Sequence, residues 1–119
     1  MANPNIVNVT EIYGNTAVQL ATTAAVNLVV NANGSGKIYK INALYVSNYQ
    51  GTNATDITVN HVIAGNSISI LSTVSVAADS TLVAITKDTS IYLLEYGELR
   101  VSSNSTTALN VFCSCDEIK

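Results

Sequence analysis

Apolar residues recur at every second position along much of this chain. The registers are Ile57, Val59, His61, Ile63; Ile68, Ile70, Val74, Val76; Leu99, Val101; and Leu109, Val111, Cys113, Cys115. Successive side chains of an extended chain point to opposite faces, so period two predicts strands with one buried face. β-branched residues dominate these runs, and no N-cap followed by a sustained three/four spacing appears, so helical templates fit poorly. The alternation predicts about eight strands: roughly Ile6–Tyr13, Thr16–Leu20, Ala25–Asn31, Lys37–Ser47, Asp56–Ile63, Ser67–Val76, Thr81–Thr86, Ser90–Leu94, Glu98–Ser102 and Ala108–Ile118, the first two being one strand or an edge extension.

Turn chemistry separates the runs. All six glycines (Gly14, Gly34, Gly36, Gly51, Gly65, Gly97) are expected between strands and none within one. Ala64-Gly65-Asn66 predicts a tight hairpin, Tyr96-Gly97-Glu98 a second hairpin, and the segments around Gly34–Gly36 and Gly51 looser loops. The lone proline, Pro4, leaves every later strand free to donate its ladder hydrogen bonds, and residues 1–5 read as a short N-terminal arm. No internal repeat or low-complexity tract divides the chain. The expectation is a single all-β domain over residues 1–119, an antiparallel, jelly-roll-like β-sandwich.

Composition sharpens this picture. Charged residues make up 11% of the chain, against about 25% in ordinary soluble domains. Ser, Thr and Asn (12, 13 and 14 residues) supply the polarity instead. A surface of short hydroxyls and amides suits contact with other protein, because little charge must be desolvated. The five cations (Lys37, Lys40, Lys87, Arg100, Lys119) are scattered and the net charge is −3, so nucleic acid is not an expected partner. Ile12 to Gly36 carries no charge, but Gly14, Asn15, Gln19, Asn27 and Asn31 interrupt it well short of the roughly 18 apolar residues of a spanning helix, and no membrane partner is expected. Met1-Ala2-Asn3-Pro4-Asn5 shows neither the cationic nor the apolar region of a secretory signal. The sequons at Asn8, Asn53 and Asn104 carry no weight without secretion.

Catalytic groups are few. His61 shares the register of Val59 and Ile63 and reads as a packing residue on the inner face or its margin. Cys113 and Cys115, two apart on a strand, have Cα atoms about 7 Å apart, too far for an easy mutual disulfide. A zinc site would need two more soft ligands and only His61 is on offer, so the pair reads as reduced, buried small hydrophobes. Asp79, Asp88 and the Asp116-Glu117 pair invite a calcium reading, but no run has the pattern of a ligand loop, and Asp79 and Asp88 read as turn formers. The six tyrosines (Tyr13, Tyr39, Tyr45, Tyr49, Tyr92, Tyr96) suit packing or, on an exposed groove, sugar binding. No catalytic, cofactor-binding or metal site is expected, no cofactor is implied, and the chain reads as non-enzymatic.

The run Val83-Ala84-Ile85-Thr86-Lys87-Asp88-Thr89-Ser90-Ile91-Tyr92-Leu93-Leu94-Glu95-Tyr96-Gly97-Glu98-Leu99-Arg100-Val101, the C-terminal Leu109–Ile118, the opening Met1–Val9 and the central Gly36–Asn42 resemble small virion proteins of tailed bacteriophages of marine or cyanobacterial hosts. The usual pattern places an aspartate after the glycine, where this chain has Glu98. The resemblance implies a virion structural protein made in the host cytoplasm: a capsid decoration or cement protein, trimeric, binding the major capsid protein or another virion protein. It leaves open a tail, neck or baseplate component, and the tyrosines leave open a carbohydrate-binding receptor module.

Overall fold

The computed structural model describes residues 8–119. Nine strands form: β1 (Ile12–Leu20), β2 (Val26–Val30), β3 (Ile38–Asn48), β4 (Thr55–Ile63), β5 (Asn66–Val76), β6 (Thr81–Ile85), β7 (Ile91–Leu93), β8 (Glu98–Ser103) and β9 (Leu109–Ile118). One sheet has the order β1-β9-β3-β6, with β7 also pairing β3, and the other has β2-β8-β4-β5. Every pairing is antiparallel, and the chain passes repeatedly from one sheet to the other, as in a jelly roll. The nine strands follow the expected segments, the first two being one strand, and form the expected antiparallel sandwich.

The alternating registers supply the core. Ile41, Leu44 and Val46 of β3, Leu109, Val111 and Cys113 of β9, Ile57 and Val59 of β4 and Leu99 of β8 are fully buried between the sheets. Neutral polar residues alternate with them, including Asn110 and Ser114 on β9 and Asn60 on β4. A one-residue slip would turn either set to the wrong face, so burial fixes the register.

Two buried asparagines tie the layers together. Asn31, just after β2, donates its side-chain amide to the carbonyls of Leu93 and Lys37, both at 3.0 Å, and its Oδ1 accepts from Ser35 Oγ at 2.6 Å. Its own N–H reaches Gly97 O at 2.9 Å and its carbonyl accepts from Tyr96 N–H at 2.8 Å. Asn48, at the end of β3, donates to Val76 O (2.9 Å) on the opposite sheet and to Asn53 O (3.0 Å), and accepts from Gln50 N–H (3.0 Å). Each residue is 1% exposed. Carbonyls that would otherwise be buried without partners are satisfied across the two layers.

Three local expectations are corrected. The first two segments are one strand, β1, one of the two forms expected, but it runs through Gly14, so that glycine does not punctuate; Asn8 to Glu11 lies outside it, and Ile6, Val7 and the arm at 1–5 lie outside the described residues. Tyr96-Gly97-Glu98 is not a hairpin, because β7 pairs with β3 and β8 with β4 and β2; the segment is a corner between sheets. A Cβ on Gly97 would sit 2.8 Å from Leu94 O, the carbonyl to which the Gly97 N–H bonds, so only glycine fits there. The Ala64-Gly65 turn is the expected tight hairpin, with both residues at positive φ (50° and 83°) as a two-residue type I′ turn requires.

Replacing Asn31 or Asn48 with alanine is expected to lower the unfolding free energy by about 2–4 kcal/mol each, since more than one buried carbonyl loses its donor. Asn33→Ala, at an exposed loop position, should change it by less than about 0.5 kcal/mol. Urea unfolding of the three variants measures the difference.

Candidate functional site

Two concavities lie at one end of the sandwich, around the corner at Tyr96. One, of about 500 Å³, opens on the outer face of the second sheet and is lined by Val30, Val62, Ser67, Tyr96, Glu98 and Arg100. Pairing places four of these in one cross-strand row, Val30–Glu98–Val62–Ser67. In the next row Arg100 donates to Asn27 Oδ1 (3.2 Å), and Ser69 donates to Asn60 Oδ1 (3.0 Å). Arg100 also bonds Glu98 at 2.9 Å. The only cation in this groove is thus already engaged by groups on its own sheet.

The second concavity, about 310 Å³, is walled by His61 and Ile63 of β4, Tyr92 of β7, and Leu94 and Tyr96 of the turn that follows. Tyr96 is 66% exposed and holds φ at 68°, an uncommon conformation for a residue with a side chain. The hydrogen bonds of Asn31 and Leu94 around it impose that geometry. Two tyrosines, a histidine, the Glu95 carboxylate and apolar side chains make a shallow aromatic pocket, in which Glu95 is held by the N–H groups of Gly34 and Gly36.

His61 lies where its register placed it. It pairs with the buried Leu99 on β8 and with Ile68 on β5, and the row opens from buried Val59 through half-buried His61 to exposed Ile63. Burial lowers its pKa below the ordinary histidine value. Cys113 and Cys115 are free and buried on β9, opposite Leu44 and Ile41 of β3. The hydrogen bond that the Cys113 S–H donates to Cys115, and then burial, push the Cys113 thiol well above its usual range, so it stays a neutral thiol. The cysteines and His61 lie on different sheets.

The acidic residues are dispersed. Asp79 occupies a turn at positive φ whose N–H bonds Gln50 O, and Asp88 lies in a single 3-10 turn closed by Thr86 and Thr89. Asp116 accepts from the Asn42 amide at 3.1 Å, and Glu117 pairs with Lys37 at 3.1 Å. Glu95 accepts from the N–H groups of Gly34 and Gly36 and so ties down that loop. Among the described residues no group of three or more His, Cys, Asp or Glu side chains could hold a metal ion, and no helix is long and apolar enough to cross a membrane.

The tyrosines divide by position. Burial, then the charge of and hydrogen bond to Glu117, raise the Tyr39 hydroxyl to about 12, keeping it protonated. Tyr45 stacks on Phe112 with centroids 5.3 Å apart and planes 17° from parallel. Tyr92 and Tyr96 share the pocket, while Tyr49 follows the far end of β3, so the exposed tyrosines do not form one platform. Across the outer face of the first sheet, pairing aligns Val18, Phe112, Tyr45 and Val83 in a single apolar row, with Val18 and Val83 both 56% exposed. Sequence reasoning missed this row because its members lie on four strands; only the outward phase of each strand signalled it.

No family model matches the chain, and no curated protein does. Among solved structures, one described as "Bacillus endospore appendages form a novel family of disulfide-linked pili" is similar over 98% of this chain and 92% of that one, with a TM-score of 0.52 and 18% identity. At that identity the likeness shows the fold alone.

Two measurements check the site. The depressed His61 pKa means the unfolded chain takes up the proton first, so stability contributed by neutral His61 is full above about pH 6.5 and is lost as pH falls below it. His61→Gln should flatten that part of the stability profile between about pH 7 and 5. Ellman's reagent should label neither cysteine of the native chain within minutes and both after unfolding in guanidinium.

Proposed function

We propose that this chain is a non-enzymatic structural subunit of a tailed-phage virion, a decoration or cement protein that binds the outside of the capsid shell. The apolar row Val18–Phe112–Tyr45–Val83 carries this reading. An outer sheet face with stacked rings at its centre and little charge around it suits coverage by another protein, because its burial removes apolar surface from water and desolvates few charges. The likeness in fold to an appendage described as pili supports an assembling role. The buried thiols of Cys113 and Cys115 leave no cysteine on the described surface to link copies, so the contacts here are non-covalent. A trimer on the shell, as the phage resemblance implies, is part of the proposal.

A carbohydrate-binding role is a second reading, favoured by Tyr92 and Tyr96 at the 310 Å³ pocket. In that case Tyr96→Ala abolishes glycan retention while leaving particle incorporation unchanged. A tail or baseplate component differs from a decoration protein in copy number.

Quantitative mass spectrometry of virions from the source virus is expected to give hundreds of copies per particle. A count of roughly six to twelve places the chain in a tail ring instead, and its absence from particles overturns the virion reading. Tyr45→Asp with Val83→Asp should weaken retention on particles at least tenfold without unfolding the sandwich.

A further inference from the structure

We propose that the edge of β1 opposite β9, which no described strand covers, is a self-association surface, on which β1 of a second copy of this chain pairs antiparallel about a twofold axis at Thr16. This proposal is independent of the virion reading: it concerns a twofold contact of the purified chain, distinct from the threefold contact of the trimer proposed on the shell.

The backbone phase of β1 follows from its ends. Glu11 and Lys119 exchange both backbone hydrogen bonds (3.1 and 2.9 Å), and Ala21 N–H bonds Leu109 O at 2.9 Å. Between them the register with β9 is unbroken from Ile12↔Ile118 to Leu20↔Asn110. In an antiparallel ladder alternate residues bond the partner strand, so the odd-numbered residues face β9. The N–H and C=O groups of Ile12, Gly14, Thr16, Val18 and Leu20 therefore point to the open edge, where no described strand lies.

Edges of this kind are usually blunted by charge, proline, bulges or brevity. The other edges of this molecule are so treated. β2 and β6 have five residues each and a register shift, and β7 has three residues. β5 is long but has two register shifts against β4 and places Thr73 at φ 52°. Only β1, among the described edges, is long and regular, and its nine residues contain no charge and no proline.

Self-complementarity selects a second copy as the occupant. Full antiparallel overlap centred on Thr16 sets Ile12 opposite Leu20 of the second copy, Gly14 opposite Val18 and Thr16 opposite Thr16, with about ten hydrogen bonds across the seam. No like charges meet. The pairing also accounts for Gly14, which has no positive φ and nothing within 4 Å of where a Cβ would be, so neither conformation nor internal packing calls for glycine. Opposite the exposed Val18 of the second copy, the missing side chain leaves room for the valine. Ile12, 59% exposed, and Val18 both gain cover.

Sedimentation velocity from micromolar to near-millimolar concentration tests the proposal. The wild-type chain is expected to approach twice the monomer mass. Thr16→Pro removes one outward N–H and no bond to β9, and Val18→Lys places a charge on the edge; each should weaken dimerisation at least tenfold. Val83→Lys, equally exposed on β6, should leave it unchanged. Thr16→Cys should form disulfide-linked pairs on mild oxidation, as opposed residues about 5.5 Å apart allow. A wild-type monomer throughout the range, or an oligomer unaffected by both β1 variants, overturns the proposal. So does a monomer whose Gly14, Thr16 and Val18 amides resist hydrogen exchange, because the edge is then covered by the chain itself, residues 1–7 included.

Discussion

Two side-chain amides, those of Asn31 and Asn48, hold the layers of this sandwich in register. Hydrophobic burial brings two sheets together but has no direction, and it would tolerate sliding or rotation of one layer over the other. The amides are directional. Asn31 bonds the carbonyls of Leu93 and Lys37 at one end, Asn48 bonds those of Val76 and Asn53 at the other, and each also accepts a hydrogen bond from its own side of the molecule. A buried polar group with all its partners specifies one arrangement, because any shift leaves donors and carbonyls unpaired in a dry interior.

What this constraint frees is the exterior. The buried interior carries no charge, and the described ion pairs, Lys37–Glu117 and Glu98–Arg100, lie outside it. The outer faces and edges thus carry little charge, which is a liability for an isolated molecule and an asset for a subunit. The apolar row on the first sheet and the regular edge of β1 belong to that same sheet, so a face contact with a shell and an edge contact with another copy are geometrically compatible. The aromatic pocket at Tyr96 lies at the end of the sandwich, away from the mid-strand row.

Much of the architecture was legible in the alternation. The strands from Lys37 onward form within a few residues of their expected bounds, because inward positions there are mostly Ile, Leu, Val or Cys and many outward ones are Ser, Thr or Asn. The errors share one cause: turn chemistry is local and pairing is not. Gly14-Asn15 has the composition of a turn, yet β9 offers an unbroken partner and the strand runs through. Tyr96-Gly97 has the composition of a hairpin, but its flanking strands find partners in different sheets. His61 was correctly placed by register. Asn31 and Asn48 were not singled out, since in a chain with fourteen asparagines nothing local distinguishes a buried clamp from a solvated loop residue. The signal was only that each follows an inward-facing run in phase with it.

The most direct test of the clamp is the exchange of the Asn31 and Asn48 side-chain amide protons with solvent, followed by NMR. If these amides hold the layers together, their protons exchange only as the whole sandwich unfolds, at rates matching the slowest backbone amides of β3 and β9. Exchange as fast as that of Asn33, in its exposed loop, would contradict the account.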